Sequence, residues 1–314
     1  MKKNIKIGNL ELKYRTVPAP MAGLTDIAFR KLLDNIGGIG YMVSEMISAD
    51  GMIRRNEKTF EMMRLSEFKT PQFIQLFGNN ISSIIKAIKI IENETEFDGI
   101  DFNMGCPAKK IVKKGSGSAL LKDTDKIKEI VSAMRNTTTL PLSIKVRLGF
   151  ESVNILQTIK AISDSGADAV AIHFRLRGTP YTIPAEWNYI KAIREISNIT
   201  LIGNGDIFDY NTALEKLKLV DLIMIGRGAI SNPLIFSEIE KKQSNDELKQ
   251  ETFLKLIELI DHYYEEKLKL PKLKSFIRYM IAEKPDSKAL RLKLYKAKSL
   301  NEAKIIYKHS VLSY

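Results

Sequence analysis

Short apolar runs, rich in β-branched residues and bounded by Gly, Pro or Asp, recur along the first three quarters of the chain. They are TVPAPMAG (16–23), YMVSEM (41–46), PQFIQLFG (71–78), GIDFNMGCP (99–107), PLSIKVRLG (141–149), AVAIHFR (169–175), TLIGNGDI (200–207) and LIMIGRGA (222–229). Near-continuous apolarity over so short a span predicts strands buried on both faces. Between most of them the period changes to that of a helix, as in ISSIIKAIKIIEN (81–93), DTDKIKEIVSAMRN (123–136) and SVNILQTIKAISDSG (152–166). The last has a Ser start and a Gly stop. In the second, Asp125 lies at the positive end of the helix dipole. Eight strands alternating with helices over about 225 residues predict a (β/α)8 TIM barrel. A doubly wound sheet would carry GxGxxG after its first strand, and neither that nor a Walker GxxxxGK[ST] is present.

After about residue 240 the strand signal stops. KKQSNDELKQ is polar, and FLKLIELIDHYYEEKL and the residues beyond it carry only helical periodicity. The expected division is a catalytic barrel over 1–240 and a small all-helical C-terminal domain over 241–314. Pro271 and Pro285 are expected to break that domain into about three helices.

Charge sharpens the division. The 314 residues carry 49 Lys and Arg against 37 Asp and Glu, a net charge of +12. Residues 267–308 hold 13 of the cations and 3 of the acids, a surplus of 10. Such asymmetry points to a polyanion partner, with a solvated Lys-rich face as the alternative. The single cysteine, Cys106, excludes an intramolecular disulfide, and with three histidines and no CxxC no metal site is expected. No apolar run reaches the ~18 residues of a membrane helix. The N-terminal MKKNIKIGNLELKYR alternates charged and apolar residues without a signal-peptide core. A cytoplasmic protein with a reduced thiol, expected to be a monomer, is the simplest reading.

In a parallel barrel the C-terminal strand ends and the loops after them form the active face. Read there, the runs give Met21, Ala22 and Gly23, then Ser44 and Glu45, Gln75, Asn103 and Cys106. Lys145 and Arg147 follow, then His173, Arg175 and Arg177, then Asn204, Gly205 and Asp206, and last Gly226, Arg227 and Gly228. The final two loops, IGNGDI and IGRGA, let backbone N–H groups approach an anion, and loops after strands seven and eight are the recurrent phosphate site of barrels. Lys145 inside an apolar strand is costly to bury unpaired. It fits a Schiff base or the holding of negative charge developing on a cofactor. Cys106, in a Gly-Cys-Pro turn on this rim, is a candidate acid.

The blocks APMAGLTDIAFR (19–30), SEM (44–46), QLFG (75–78) and DFNMGCPAKKIVKKGSGSAL (101–120) resemble those of the tRNA-dihydrouridine synthases. So do KVRLG (145–149), the HxRxR at 173–177, AEW (185–187), GNGDI (203–207) and IGRGA (226–230), with the bacterial B-type branch most similar. The resemblance implies FMN as cofactor, NADPH (or NADH) as reductant, tRNA as partner, and reduction of the C5–C6 double bond of uridine. By it, Pro20, Met21 and Ala22 line the flavin, Gln75 bonds its ring, Lys145 contacts its pyrimidine edge and His173 joins the site. Asn204, Gly205, Asp206, Gly226 and Arg227 hold the phosphate. Asn103, Arg175 and Arg177 face the substrate, and Cys106 protonates C5 after hydride reaches C6. Lys272, Lys274, Arg278, Arg291 and Lys293 are expected RNA contacts. Phe174 and Leu176 stand where the family usually has Gly and Thr, which leaves the target position open between tRNA uridines and a ribosomal RNA. Other readings are a flavin barrel acting on a free pyrimidine, a Lys145 aldolase, and an RNA-binding protein without catalysis.

Overall fold

The computed structural model describes residues 5–241, 246–281 and 287–312. It opens with a hairpin, β1 (Ile5–Ile7) and β2 (Leu10–Leu12), turning at Gly8 with φ +57°. Eight strands follow: β3 (Thr16–Pro18), β4 (Met42–Ser48), β5 (Gln72–Phe77), β6 (Gly99–Asn103), β7 (Leu142–Arg147), β8 (Ala169–His173), β9 (Thr200–Asn204) and β10 (Leu222–Ile225). They form one all-parallel sheet in the order β3-β10-β9-β8-β7-β6-β5-β4, each expected run supplying one strand. The two ends of that order come together where the Gly40 N–H, just before β4, donates to the Thr16 carbonyl of β3 at 2.9 Å. Glycine is required there: a Cβ would stand 2.3 Å from the Tyr14 carbonyl oxygen.

Strand alternation sorts the apolar side chains into two cores. The inner one gathers Val17, Tyr41, Val43, Phe73, Ala171, Ile202 and Met224 with Ile5, Ile7 and Leu12 of the hairpin. The hairpin therefore plugs the N-terminal end of the barrel and leaves the C-terminal end open for chemistry. The outer core fills the layer between sheet and helices. It continues without a break into four C-terminal helices, Asp246–Tyr263, Glu266–Met280, Ser287–Lys296 and Leu300–Leu312. At the junction Phe29 stacks on Phe276, ring centroids 5.4 Å apart.

Three features differ from the sequence reading, the first being that the described residues of the C-terminal segment form four helices where about three were expected. The hairpin was not expected, because three-residue strands with charged alternate positions carry little apolar signal. Pro271 does not break its helix but sits inside Glu266–Met280. Its ring costs one backbone bond, and buried Leu273, Phe276 and Ile277 in the next turns hold the helix together. Pro285 lies outside the described residues.

Candidate active site

The C-terminal end of the barrel encloses a cavity of about 340 Å³. Register places its polar groups in two successive rows, the second two residues further along than the first. Asn103 pairs with Lys145, Arg147 with His173, and His173 with Asn204. Pro20, Met21 and Ala22 enter from the loop after β3, Gln75 from β5, and Cys106 from the turn after β6.

One wall is a hydrogen-bonded relay that aims the cysteine turn. Asp101, fully buried, accepts from Gln75 Nε2 at 2.6 Å and from the Ser143 hydroxyl. Burial raises the Asp101 pKa, against those two bonds and the charge of Lys145. Gln75 Oε1 then accepts from Asn103 Nδ2 at 3.0 Å. Asn103 Oδ1 in turn accepts the backbone N–H groups of Gly105 and Cys106, at 3.1 and 2.9 Å. The amide of Asn103 is thus committed to the Gly105–Cys106 turn while it lines the cavity. Cys106 is a half-buried free thiol.

The adjoining wall is cationic. Lys145 is held down to about 8 by burial first and by neighbouring Arg147 second, with Asp101 opposing. Arg147 donates to the carbonyls of Gly105 (2.9 Å) and Leu176 (3.0 Å). Burial, then the surrounding Arg147, Lys145, Arg175 and Arg227, keep His173 neutral. Arg175 Nη1 lies 3.2 Å from His173 Nε2. A guanidinium cannot accept, so Nε2 is the acceptor and the ring proton sits on Nδ1. Arg175 is 1% exposed. It spends its remaining donors on the Ile183 carbonyl and on Asp206, at 2.5 and 2.7 Å.

Asp206 gathers the two glycine loops. It adopts a left-handed φ of +53°, which an aspartate tolerates better than most residues. Its carboxylate accepts from Arg175, from Arg227 at 3.0 Å and from the Ala185 N–H at 2.8 Å. Arg227 is thereby held 4.3 Å over the Tyr181 ring and 5.1 Å from that of Phe208. The loops approach so closely that a Cβ on Gly228 would stand 2.3 Å from the Ile207 carbonyl oxygen. Asn204 Nδ2 ties β9 to the Met224 carbonyl at 2.7 Å.

The family model described as "Dihydrouridine synthase (Dus)" matches residues 17–310. The chain belongs to the dihydrouridine synthase family. It is 35% identical over 269 residues to a probable tRNA-dihydrouridine synthase of Rickettsia conorii, covering 83% of this chain and 80% of that one. It is 38% identical over 250 residues to tRNA-dihydrouridine synthase B of Vibrio parahaemolyticus, covering 77% and 76%. Among solved structures it is similar to a variant of NCR from Zymomonas mobilis. That match has a TM-score of 0.53 at 14% identity, covering 76% of this chain and 90% of that one. It is also similar to 2-naphthoyl-CoA reductase in complex with 2-naphthoyl-CoA. There the TM-score is 0.59 at 12% identity, covering 76% and 52%. At these identities the likeness concerns the fold alone.

In this synthase-family chain the cavity brings together Pro20, Met21, Ala22, Gln75, Asn103, Cys106, Lys145, His173, Arg175, Asn204, Gly205, Asp206, Gly226 and Arg227. Arg177 is not among the lining residues; its guanidinium sits 4.5 Å over the Phe150 ring. Of the tail cations, Lys272 turns inward, 3.1 Å from Asp26. Arg291 is half-buried, its Nε 3.2 Å from the Ser287 carbonyl, whereas Arg278 and Lys293 are exposed and Lys274 is half-buried. The wall also includes Tyr181, Phe208 and Tyr279, which sequence reasoning did not single out as site residues. Among the described residues Tyr279 is the one lining residue from the C-terminal helices, and nothing local in RYMI marks it. Among the described residues no helix is long and apolar enough to cross a membrane.

Proposed function

We propose that this chain reduces the C5–C6 double bond of a uridine in tRNA to 5,6-dihydrouridine, with FMN as cofactor and NADPH as reductant, in the cytoplasm. The observation that carries the reading is the meeting, on one cavity, of an aimed thiol, a lysine of lowered pKa and a glycine–arginine loop pair. The donor set fits FMN. Among the described residues Lys145, Arg147, Arg175 and Arg227 outweigh the one lining carboxylate, Asp206, so the cavity favours an anionic occupant. At Gly226 a Cβ would meet nothing nearer than 3.6 Å, so the backbone there leaves room for one further atom beside Ala19 and Met21. The first turn of the helix Arg227–Ser231 has N–H groups without intrahelical partners, suited to a phosphate.

When bound, FMN would supply hydride to C6 of the uracil after taking it from NADPH. The chain's own residues do the rest. Lys145, protonated near neutral pH, would offset negative charge on the ring. Gln75, oriented through Asp101, would give the ring a hydrogen bond. His173, held neutral, offers its Nδ1–H as a donor without adding a further charge. Cys106, fixed by Asn103 through its own N–H, delivers the proton from Sγ to C5. Asp206 acts through Arg227, keeping that guanidinium at the glycine loops. The target uridine leaves its stack to reach the thiol, at a cost of a few kcal/mol that contacts to the RNA backbone offset. An absorbance spectrum of the purified protein, recorded before and after anaerobic NADPH, tests the cofactor. A flavin band that bleaches is expected; a colourless protein that takes up no FMN contradicts the reading.

A further inference from the structure

The loop that carries Cys106 also carries four lysines in six positions, Lys109, Lys110, Lys113 and Lys114. All four are exposed. Among the described residues none has an acidic group within ion-pair distance, in contrast to Lys267, Lys269, Lys272 and Lys304 of the C-terminal helices, each of which is paired. The loop is not a loose basic tail. It closes on itself through the Ser118 N–H donating to the Cys106 carbonyl at 3.0 Å. Asn79 Nδ2 holds the Lys114 carbonyl at 2.8 Å. Gly117, at φ +60°, passes so near that a Cβ would stand 2.9 Å from the Cys106 carbonyl oxygen. Half-buried Ile111 and Val112 pin the short helix Lys109–Val112 from beneath. Cys106 and Pro107 line the cavity, so the lysines begin two residues from its wall.

Four like charges on a fixed loop repel one another, and among the described residues no acidic group pairs with them. A polyanion does. We propose that this loop is a binding site for backbone phosphates of the substrate RNA, on the strand that carries the uridine presented to Cys106. The inference rests on the proposed function and deepens it: the RNA is gripped at the thiol as well as at the C-terminal helices. Binding there places phosphates flanking the target beside the mouth of the cavity and helps to hold that nucleotide out of its stack.

The test compares the FMN-loaded full chain with K109Q/K110Q/K113Q/K114Q, using flavin uptake and melting temperature as checks on folding. K86Q/K89Q, an exposed pair on the outer helix Ile81–Glu94, serves as a control for the loss of lysine charge outside the loop. An unmodified tRNA transcript is the probe, in turnover and in filter-retention binding at increasing salt. The quadruple variant is expected to raise the RNA KM and Kd at least tenfold. It is also expected to flatten the slope of log Kd against log salt by roughly 0.7–0.9 for each phosphate that is no longer neutralised. The KM for NADPH and the behaviour of the control are expected to match the unaltered chain. An unchanged RNA affinity and salt slope overturns the proposal. So does a rise in the NADPH KM alone, which would assign the lysines to the phosphates of the nucleotide. Failure of the unaltered chain to form dihydrouridine would count against the proposed function, while the binding arm would still decide the loop.

Discussion

At the scale of single residues, the site works by fixing what could otherwise wander. A cysteine at the end of a strand can point anywhere, and here its turn is held by the side chain of Asn103. Cys106→Ala should keep FMN and lose about 10²–10⁴ of turnover on tRNA, the usual worth of a general acid; turnover like that of the unaltered chain would remove the thiol from the mechanism. Lys145 gives a pH signature. Its pKa in the folded chain, about 8, lies below that of an unfolded lysine. Between those values the unfolded chain binds more protons, so the Lys145 contribution raises stability with pH across that window. Without cofactor, Lys145→Met should therefore be more stable than the unaltered chain at pH 7. Its advantage should shrink as the pH climbs from about 8 toward the usual lysine range. A constant difference in denaturation free energy across the window would refute this. Lys145 and Arg147 were legible in the sequence because charge interrupts an apolar strand. The second task of Asn103 was not, since a polar residue at a strand end says nothing about which of its atoms are engaged.

At the scale of elements, the eight strands were legible because burial on both faces makes each an almost unbroken apolar word. The hairpin of β1 and β2 escaped because its strands are too short for a period to register. The glycine loops are where element packing becomes function: the loops after β9 and β10 meet backbone to backbone at Gly228. Gly228→Ala forces a Cβ onto the Ile207 carbonyl. It should cost roughly 1–3 kcal/mol, as overpacking does, and weaken FMN binding by moving Arg227; fluorescence titration with FMN checks it. The helix Glu266–Met280 reaches the loop after β3 in two places, Lys272 with Asp26 and the Ser275 hydroxyl with the Gly23 carbonyl at 3.3 Å. It also brings Tyr279 into the cavity. That docking was hidden in the sequence, where the tail reads only as basic and helical.

At the scale of the whole molecule, one continuous outer core joins the barrel to the C-terminal helices. Phe276→Ala should therefore cost about 3–5 kcal/mol, since it empties a fully buried ring position against Phe29. Chemical denaturation should show the loss, with flavin uptake falling alongside as the loop after β3 loosens. Charge is divided by the same architecture. Part of the tail's surplus is spent on internal pairs, whereas the lysines beside Cys106 have none among the described residues, a distinction that a count of charges along the chain cannot make.

The central claim is that the cavity reduces a uridine in tRNA through a flavin, with Cys106 as acid. The most direct measurement is the dihydrouridine content of an unmodified tRNA transcript after incubation with the FMN-loaded protein and NADPH, read by mass spectrometry of the digested RNA. The account predicts a two-hydrogen gain at a defined uridine, and its near-absence with Cys106→Ala. A flavin-loaded, NADPH-reducible protein that leaves the transcript unchanged, or that reduces it equally well without the thiol, would contradict it.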